Sequence, residues 1–282
     1  MKSIVHLDLD SAWSRNVLGI PTHDLCEWGP KLRYCSTRNI LDEFYKHIRS
    51  MQTDFILFGS GDFHHLTSLF IRRIDVPFVL VSFDNHPDWD IRHPKRACGS
   101  WINRALELPC VSSISIWGCG NFECWPPHER YGNQRAVQNG QLAVHPWAHK
   151  RSNTDKCREG AIQPNNWREE FTRFCESLQN SNVYVTIDLD CLASGMMWTN
   201  WENGFFTPLD IAWAINKLRD YTHIIAGDVC GAYSVPVYAN RRQTLLAESD
   251  HPTLELPDPQ IMRDINFKAL SCIWPILVKQ AD

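Results

Sequence analysis

Short apolar runs punctuate the chain at 4–9, 55–58, 78–83, 113–117, 183–187 and 223–226. Most are rich in Val, Ile and Phe and apolar on both faces, as strands covered from two sides should be. Between them the period changes to that of a helix. Over 39–51, Ile40, Leu41, Phe44, Tyr45 and Ile48 share one face, and over 166–178 Trp167, Phe171, Phe174 and Leu178 do so. Thr207-Pro208 followed by Asp210 reads as a helix start, with Ile211, Ala214, Ile215 and Leu218 as its buried stripe. A further helix is expected over 265–278, kinked or ended near Pro275. This alternation predicts an α/β fold with a mainly parallel sheet.

The stretch 118–164 breaks the rhythm. It is polar and rich in Gly, Pro, Asn and His, so irregular loops are expected there, with one extra strand at 141–144. No repeat, low-complexity tract or linker interrupts the chain, and residues 1–282 are expected to form a single domain.

Composition narrows the function classes. With 28 Lys and Arg against 32 Asp and Glu, the net charge of −4 offers no field for nucleic acid or an anionic membrane. Eleven cysteines, an odd number without zinc-ribbon spacing, fit reduced thiols. The first residues enter a strand directly and no run of 18 apolar residues occurs, so a cytoplasmic protein acting on a small molecule is expected.

The chemistry gathers at strand ends. The run 78–83 is followed by Asp84-Asn85-His86-Pro87-Asp88, and alternation would turn Asp84, His86 and Asp88 to one side if the chain stays extended through Pro87. Asp188 and Asp190 close 183–187 with the same spacing. In parallel sheets the carboxyl ends of the strands line the ligand crevice, so both clusters meet at one edge. Four carboxylates there would repel one another, and two divalent cations would neutralise them. The run 55–58 leads into Gly59-Ser60-Gly61-Asp62-Phe63-His64-His65, which adds imidazole. This mixed oxygen and nitrogen set suits two Mn²⁺ ions first, then Fe²⁺, Ni²⁺ or Zn²⁺. A lone strand-end Asp is usually a cap and a lone His a satisfied polar group; three clusters at one edge argue for a metal site instead.

In this order the motifs resemble those of the ureohydrolase superfamily, which contains arginase, agmatinase and formimidoylglutamase and shares its fold with the histone deacetylases. The similarity runs over about 54–233. Asp84, His86 and Asp88 look like its Asp-x-His-x-Asp motif. Asp188 and Asp190 look like its Ser-x-Asp-x-Asp motif, with Thr186 in the serine place, and Gly204 to Thr207 resembles the Gly-x-x-Thr helix start that follows. The resemblance implies a three-layer α/β/α sandwich, a dinuclear manganese centre whose bridging hydroxide attacks a C–N bond in an amidine, guanidine or amide, and a symmetric homo-oligomer as a plausible assembly.

The pattern departs from the family in three places. Its Gly-Gly-Asp-His is here Gly61-Asp62-Phe63-His64-His65, which leaves the ligand open between two imidazoles; His64 is preferred as ligand and His65 as acid/base. The glutamate that guanidino hydrolases place three residues after the last motif Asp is Gly231, after Asp228. The proton-shuttling His before Gly is Cys98. Gly231-Ala232-Tyr233 resembles the deacetylase Gly-Gly-Tyr turn and makes Tyr233 a candidate to polarise the scissile group. These departures leave a catalytically silent binding protein of the same fold as the alternative.

Other polar residues carry weaker expectations. His6, Asp8 and Asp10 alternate on the first strand and either reach the site or serve a turn. Trp89, Trp101, Trp198 and Trp201 could wall a pocket, and Arg92, His93, Lys95 and Arg96 could meet an anionic substrate group or form a solvated loop. No phosphate-binding glycine loop is present, so no nucleotide cofactor is expected.

Overall fold

In the computed structural model, which describes residues 3–92, 94 and 96–279, eight strands form one sheet. They are β1 Ile4–Asp8, β2 Thr22–Asp24, β3 Phe55–Leu57, β4 Phe78–Phe83, β5 Val111–Cys119, β6 Leu142–Pro146, β7 Asn182–Asp188 and β8 His223–Cys230. The order is β2-β1-β3-β8-β7-β4-β5-β6, and every strand pair within this sheet is parallel. The sheet's central strands are buried on both faces, which explains their continuous apolar sequences.

Helices cover both faces and complete an α/β/α sandwich. On one side Trp167–Ser177, Pro208–Tyr221 and Pro259–Val278 pack Phe171, Ile215, Leu218 and Ile273 against Val81, Val185 and Ile187. On the other, Arg38–Ile48 and the segment after β3 bury Leu41, Phe44, Phe63 and Phe70 against Val5 and Ile56. The start predicted at Thr207 is a full capping box: the Thr207 side chain accepts from Asp210 N, and Asp210 answers to Thr207 N.

Four local features differ from expectation. The last helix begins at Pro259 and runs through Pro275 to Val278, where Arg219 Nη2 donates to the end carbonyls of Ile276 and Leu277 at 2.9 and 3.2 Å. The edge strand β2 and the helix Arg241–Asp250 have no apolar pattern to read; the helix buries only Gln243 and Ala247. The loop region 118–164 also contains the short helices Gln134–Gln138 and Asn153–Lys156. All eleven cysteines are unpaired, and no helix among the described residues is long and apolar enough to cross a membrane.

Sheet register positions the chemistry. Leu57, Val229, Ile187 and Phe83 lie side by side across β3, β8, β7 and β4. The next residue along β8 and β7 pairs Cys230 with Asp188, and β4 continues into Asp84. Strands distant in sequence thus end in one row at the carboxyl edge.

Candidate metal centre

His64 enters this row from the helical segment Gly61–Leu66 after β3. Its Nδ1 lies 3.1 Å from Asp84 Oδ2, 3.2 Å from Asp88 Oδ2 and 3.6 Å from Asp188 Oδ2. A second group stands beside it: His86 Nδ1 is 2.8 Å from Asp190 Oδ2 and 3.8 Å from Asp84 Oδ1. The potential donor atoms of His64, Asp84 and Asp88, and those of Asp84, His86 and Asp190, lie within 4.8 Å of one another. Asp84 is common to both groups and faces each with a different oxygen. The structure therefore brings together all six residues expected as ligands, and of the two adjacent histidines it turns His64 into the cluster.

The convergence does not come from strand alternation. The chain bends at Asn85 and His86, so His86 points to Asp190 rather than alongside Asp88. Asp88 adopts a left-handed backbone, φ 46, which swings its carboxylate back to His64, and Trp101 Nε1 donates to its Oδ2 at 2.6 Å. A non-glycine residue held in that conformation stores strain that the surroundings must offset, a feature concentrated at functional sites. Asp188 caps the turn Leu189–Cys191 by accepting from Asp190 N at 3.1 Å.

Both imidazoles are held from behind. Thr186 Oγ1 donates to Asp228 Oδ1 at 2.5 Å, and Tyr184 donates to the other oxygen of that carboxylate at 2.6 Å. With its proton committed, Thr186 can only accept from His64 Nε2, 2.9 Å away, so the Nδ1 that faces three carboxylates carries a lone pair unless the ring is charged. His86 Nε2 is backed in the same way by Glu202 Oε2 at 3.4 Å. A neutral His64 would set a lone pair against anionic oxygens, and His64 Nδ1 has no hydrogen-bond partner there. A cation must sit between them, either a proton or a metal, and the mixed donor set with an outer layer of hydrogen bonds fits a metal.

The electrostatics without metal follow from that crowding. Burial opposes charge on both rings, but Asp84 and Asp88 for His64, and Asp190 for His86, outweigh it and hold each pKa well above the ordinary value. Burial, helped by Asp190, pushes Asp188 up to about 7. Removing the Thr186 hydroxyl in Thr186→Val should free the His64 ring and lower metal affinity by roughly 10–100-fold. Titration calorimetry with Mn²⁺ checks this, and unchanged affinity would show that the hydroxyl does not hold the ligand.

The cluster floors a cavity of about 60 Å³ walled by Trp201, Phe122, Cys98 and three further carboxylates, Glu123, Glu202 and Asp250. None of these acids was legible in the sequence, since a single carboxylate on a turn, a loop or a helix end belongs to no periodic pattern. Burial raises the Glu123 carboxyl above its usual range. Gly231 takes a φ of 104, and a Cβ there would collide with Asp188 Oδ1 and Leu189 N, so this backbone leaves no room for a glutamate at that position.

Several expected contributors stand elsewhere. His65 does not touch the cluster and lines a separate cavity. Tyr233 lines an open groove with Trp13 and Phe267. His6 meets Thr22, and Asp8 accepts from Ser11 N, which is turn chemistry. Asp10 binds Ser60 N at 3.1 Å and faces the buried Arg33 at 3.6 Å, so it steadies the loop before His64 rather than reaching the site. Arg33, joined to Asp62 at 2.7 Å, is a support that the sequence did not reveal. Of the tryptophans, Trp201 walls the cavity, Trp101 orients Asp88, and Trp89 is core; the Trp198 backbone is fixed by Asn266. Arg92 is engaged by Asp90, and His93 and Lys95 lie outside the described residues.

No family model matches the chain. An uncharacterized protein of Thermotoga maritima is 29% identical over 176 residues, 61% of this chain and 55% of that protein, so the chain spans about half the length of the curated relative it matches. Among solved structures, proclavaminate amidino hydrolase from Streptomyces clavuligerus superposes with a TM-score of 0.59 at 11% identity, covering 98% of this chain and 91% of that one. A putative agmatinase from Clostridium difficile gives 0.56 at 15% identity over 98% and 97%. Arginase from Bacillus subtilis gives 0.56 at 12% identity over 99% of each chain. The fold is that of the ureohydrolases. Identities of 11–15% carry the likeness no further than the fold.

Proposed function

We propose that this chain is a hydrolase that holds two divalent cations, manganese first by ligand hardness, and cleaves a C–N bond in an amidine or guanidine, with an amide as the remaining option. The observation that carries the reading is the pair of ligand groups sharing Asp84: His64, Asp84, Asp88 and Asp188 on one side, His86, Asp84 and Asp190 on the other. Held by these residues, two such cations would supply Lewis acidity and lower the pKa of a water toward neutrality.

The chain's own residues account for the rest. Glu123, Glu202 and Asp250 make the wall acidic, which favours a cationic amidine or guanidine over a neutral amide and replaces the charge that position 231 lacks. Glu123, whose carboxyl burial raises above its ordinary range, is the wall group proposed to take and return a proton, the role first expected of His65. Trp201 closes one side and excludes water. The small cavity admits a headgroup only, so the remainder of the substrate extends past Phe122 and Asp250. The unpaired cysteines support the reducing cytoplasm as its place of work, and residues 1–282 as one unit, assembled as a homo-oligomer, complete the proposal.

Metal analysis and a panel of guanidino compounds, formimino acids and N-acetylated amines, with Mn²⁺ and then Zn²⁺, test it. The expected result is two metals per chain and turnover confined to cationic members. Cys98, whose thiol burial holds far up and protonated, and the side-chain-free position 231 favour the second reading, a silent binder of this fold. Silence across the panel with metal bound would establish that second reading.

A further inference from the structure

His65 is 2% exposed, and neither of its ring nitrogens makes a well-formed hydrogen bond, the Asp62 backbone being its one nearby protein partner among the described residues. A buried ring so poorly satisfied is uncommon and calls for a ligand or a role. The ring lines a second cavity, of about 440 Å³, that shares no lining residue with the metal cavity. Four arginines surround it: Arg38 from the helix Arg38–Ile48, Arg72 after the His65 segment, Arg96 from the loop before Cys98, and Arg104 from the helix Ile102–Ala105.

The charges there do not cancel. Asp42 lies between Arg38 and Arg72, 3.4 Å from each, and Glu107 holds Arg104 at 2.7 Å. Arg96 has no carboxylate partner among the described residues, and Arg104 Nε is buried without a hydrogen bond. Four guanidiniums against two carboxylates leave a surplus of two positive charges in a chain whose net charge is −4. The patch is therefore a local concentration, not a reflection of overall composition.

We propose that this cavity binds a phosphoryl dianion, its oxygens shared among the arginine forks, with His65 donating one N–H from the floor. A dianion matches the surplus charge, and several terminal oxygens match several planar forks better than one carboxylate does. The cavity volume falls within the range of small-molecule sites and exceeds what a bare ion fills, which leaves space for an organic remainder. Trp101 lines this cavity and donates to Asp88, so the bound anion and a metal ligand would rest on the same side chain.

Calorimetric titration of the metal-loaded full chain with inorganic phosphate, pyrophosphate and phenyl phosphate tests the proposal and separates free phosphate from a phosphate ester. One of them should bind one per chain, and the double variant Arg96→Ala with Arg104→Gln should weaken it by about tenfold or more, as loss of charge-assisted forks requires. Metal content should stay as in the wild type and the melting temperature close to it, because Arg96 has no carboxylate partner among the described residues and the Arg104–Glu107 pair that is lost is a partly exposed i,i+3 contact. Phosphate also ligates metals, so binding must survive in the metal-poor variant Asp84→Asn. No saturable binding, binding indifferent to the arginine variant, binding lost with the metals, or equal affinity for succinate would each overturn the assignment. None of these readouts depends on turnover, so the proposed hydrolase activity can fail while this site stands, or the reverse.

Discussion

Asp84→Asn should empty both metal positions at once. Asp84 Oδ2 faces His64 while Oδ1 faces His86 and accepts from His86 N at 2.7 Å, so no other residue serves both groups through separate oxygens. Asparagine keeps the shape and one acceptor but removes the charge that balances two cations. Metal content measured by plasma emission should fall from two per chain to near zero, and turnover should drop by roughly a thousandfold or more, the loss of several kcal/mol of Lewis-acid stabilisation. Asp190→Asn touches only the His86 group and should leave about one metal bound. Equal metal loss in the two variants would show that Asp84 is not shared.

How much of this arrangement the sequence disclosed depends on the range of the interactions involved. Strands such as Phe78–Phe83 are legible because burial on both faces forces a continuous apolar run. The Thr207 helix is legible because capping is local. The metal cluster is legible through composition at strand ends, but its geometry is not. Alternation predicts that Asp84, His86 and Asp88 point together, whereas the left-handed Asp88 and the bend at His86 divide them between two groups. That division is what yields two donor groups from one motif. His65 shows the limit most clearly: next to His64 in sequence, it occupies another cavity, because successive residues of a 3-10 turn diverge by about 120°. The acidic wall of Glu123, Glu202 and Asp250 comes from a short helical turn, a loop and the end of a helix, whose proximity only the closed fold establishes.

Rising pH should destabilise the metal-free chain and have the opposite effect on metal retention. Burial and Asp190 push Asp188 up to about 7 in the folded state. In the unfolded chain a carboxyl titrates near 3.9. Between those values the folded form keeps a proton that the unfolded form has released, so stability falls as pH climbs, and the penalty is complete above about 7. His64 and His86 act in the same direction. Their raised folded pKa values give stability that is fully present below about 6.5 and is lost as pH rises through the raised values. From pH 5 to 7, Asp188 alone accounts for about 2–3 kcal/mol, or roughly 5–10 °C of melting temperature for a chain of this size. Cations reverse the balance, because they replace the proton and bind only deprotonated ligands, so their affinity grows over the same range. With Mn²⁺ at about a hundred times its dissociation constant, stabilisation of about 2.7 kcal/mol is expected at pH 8. At pH 5 the same concentration should give far less. Scanning calorimetry at pH 5, 6, 7 and 8, with and without Mn²⁺, reads both trends. Parallel curves would mean that the ion binds away from Asp188, His64 and His86, and the dinuclear assignment would then have no support from this cluster.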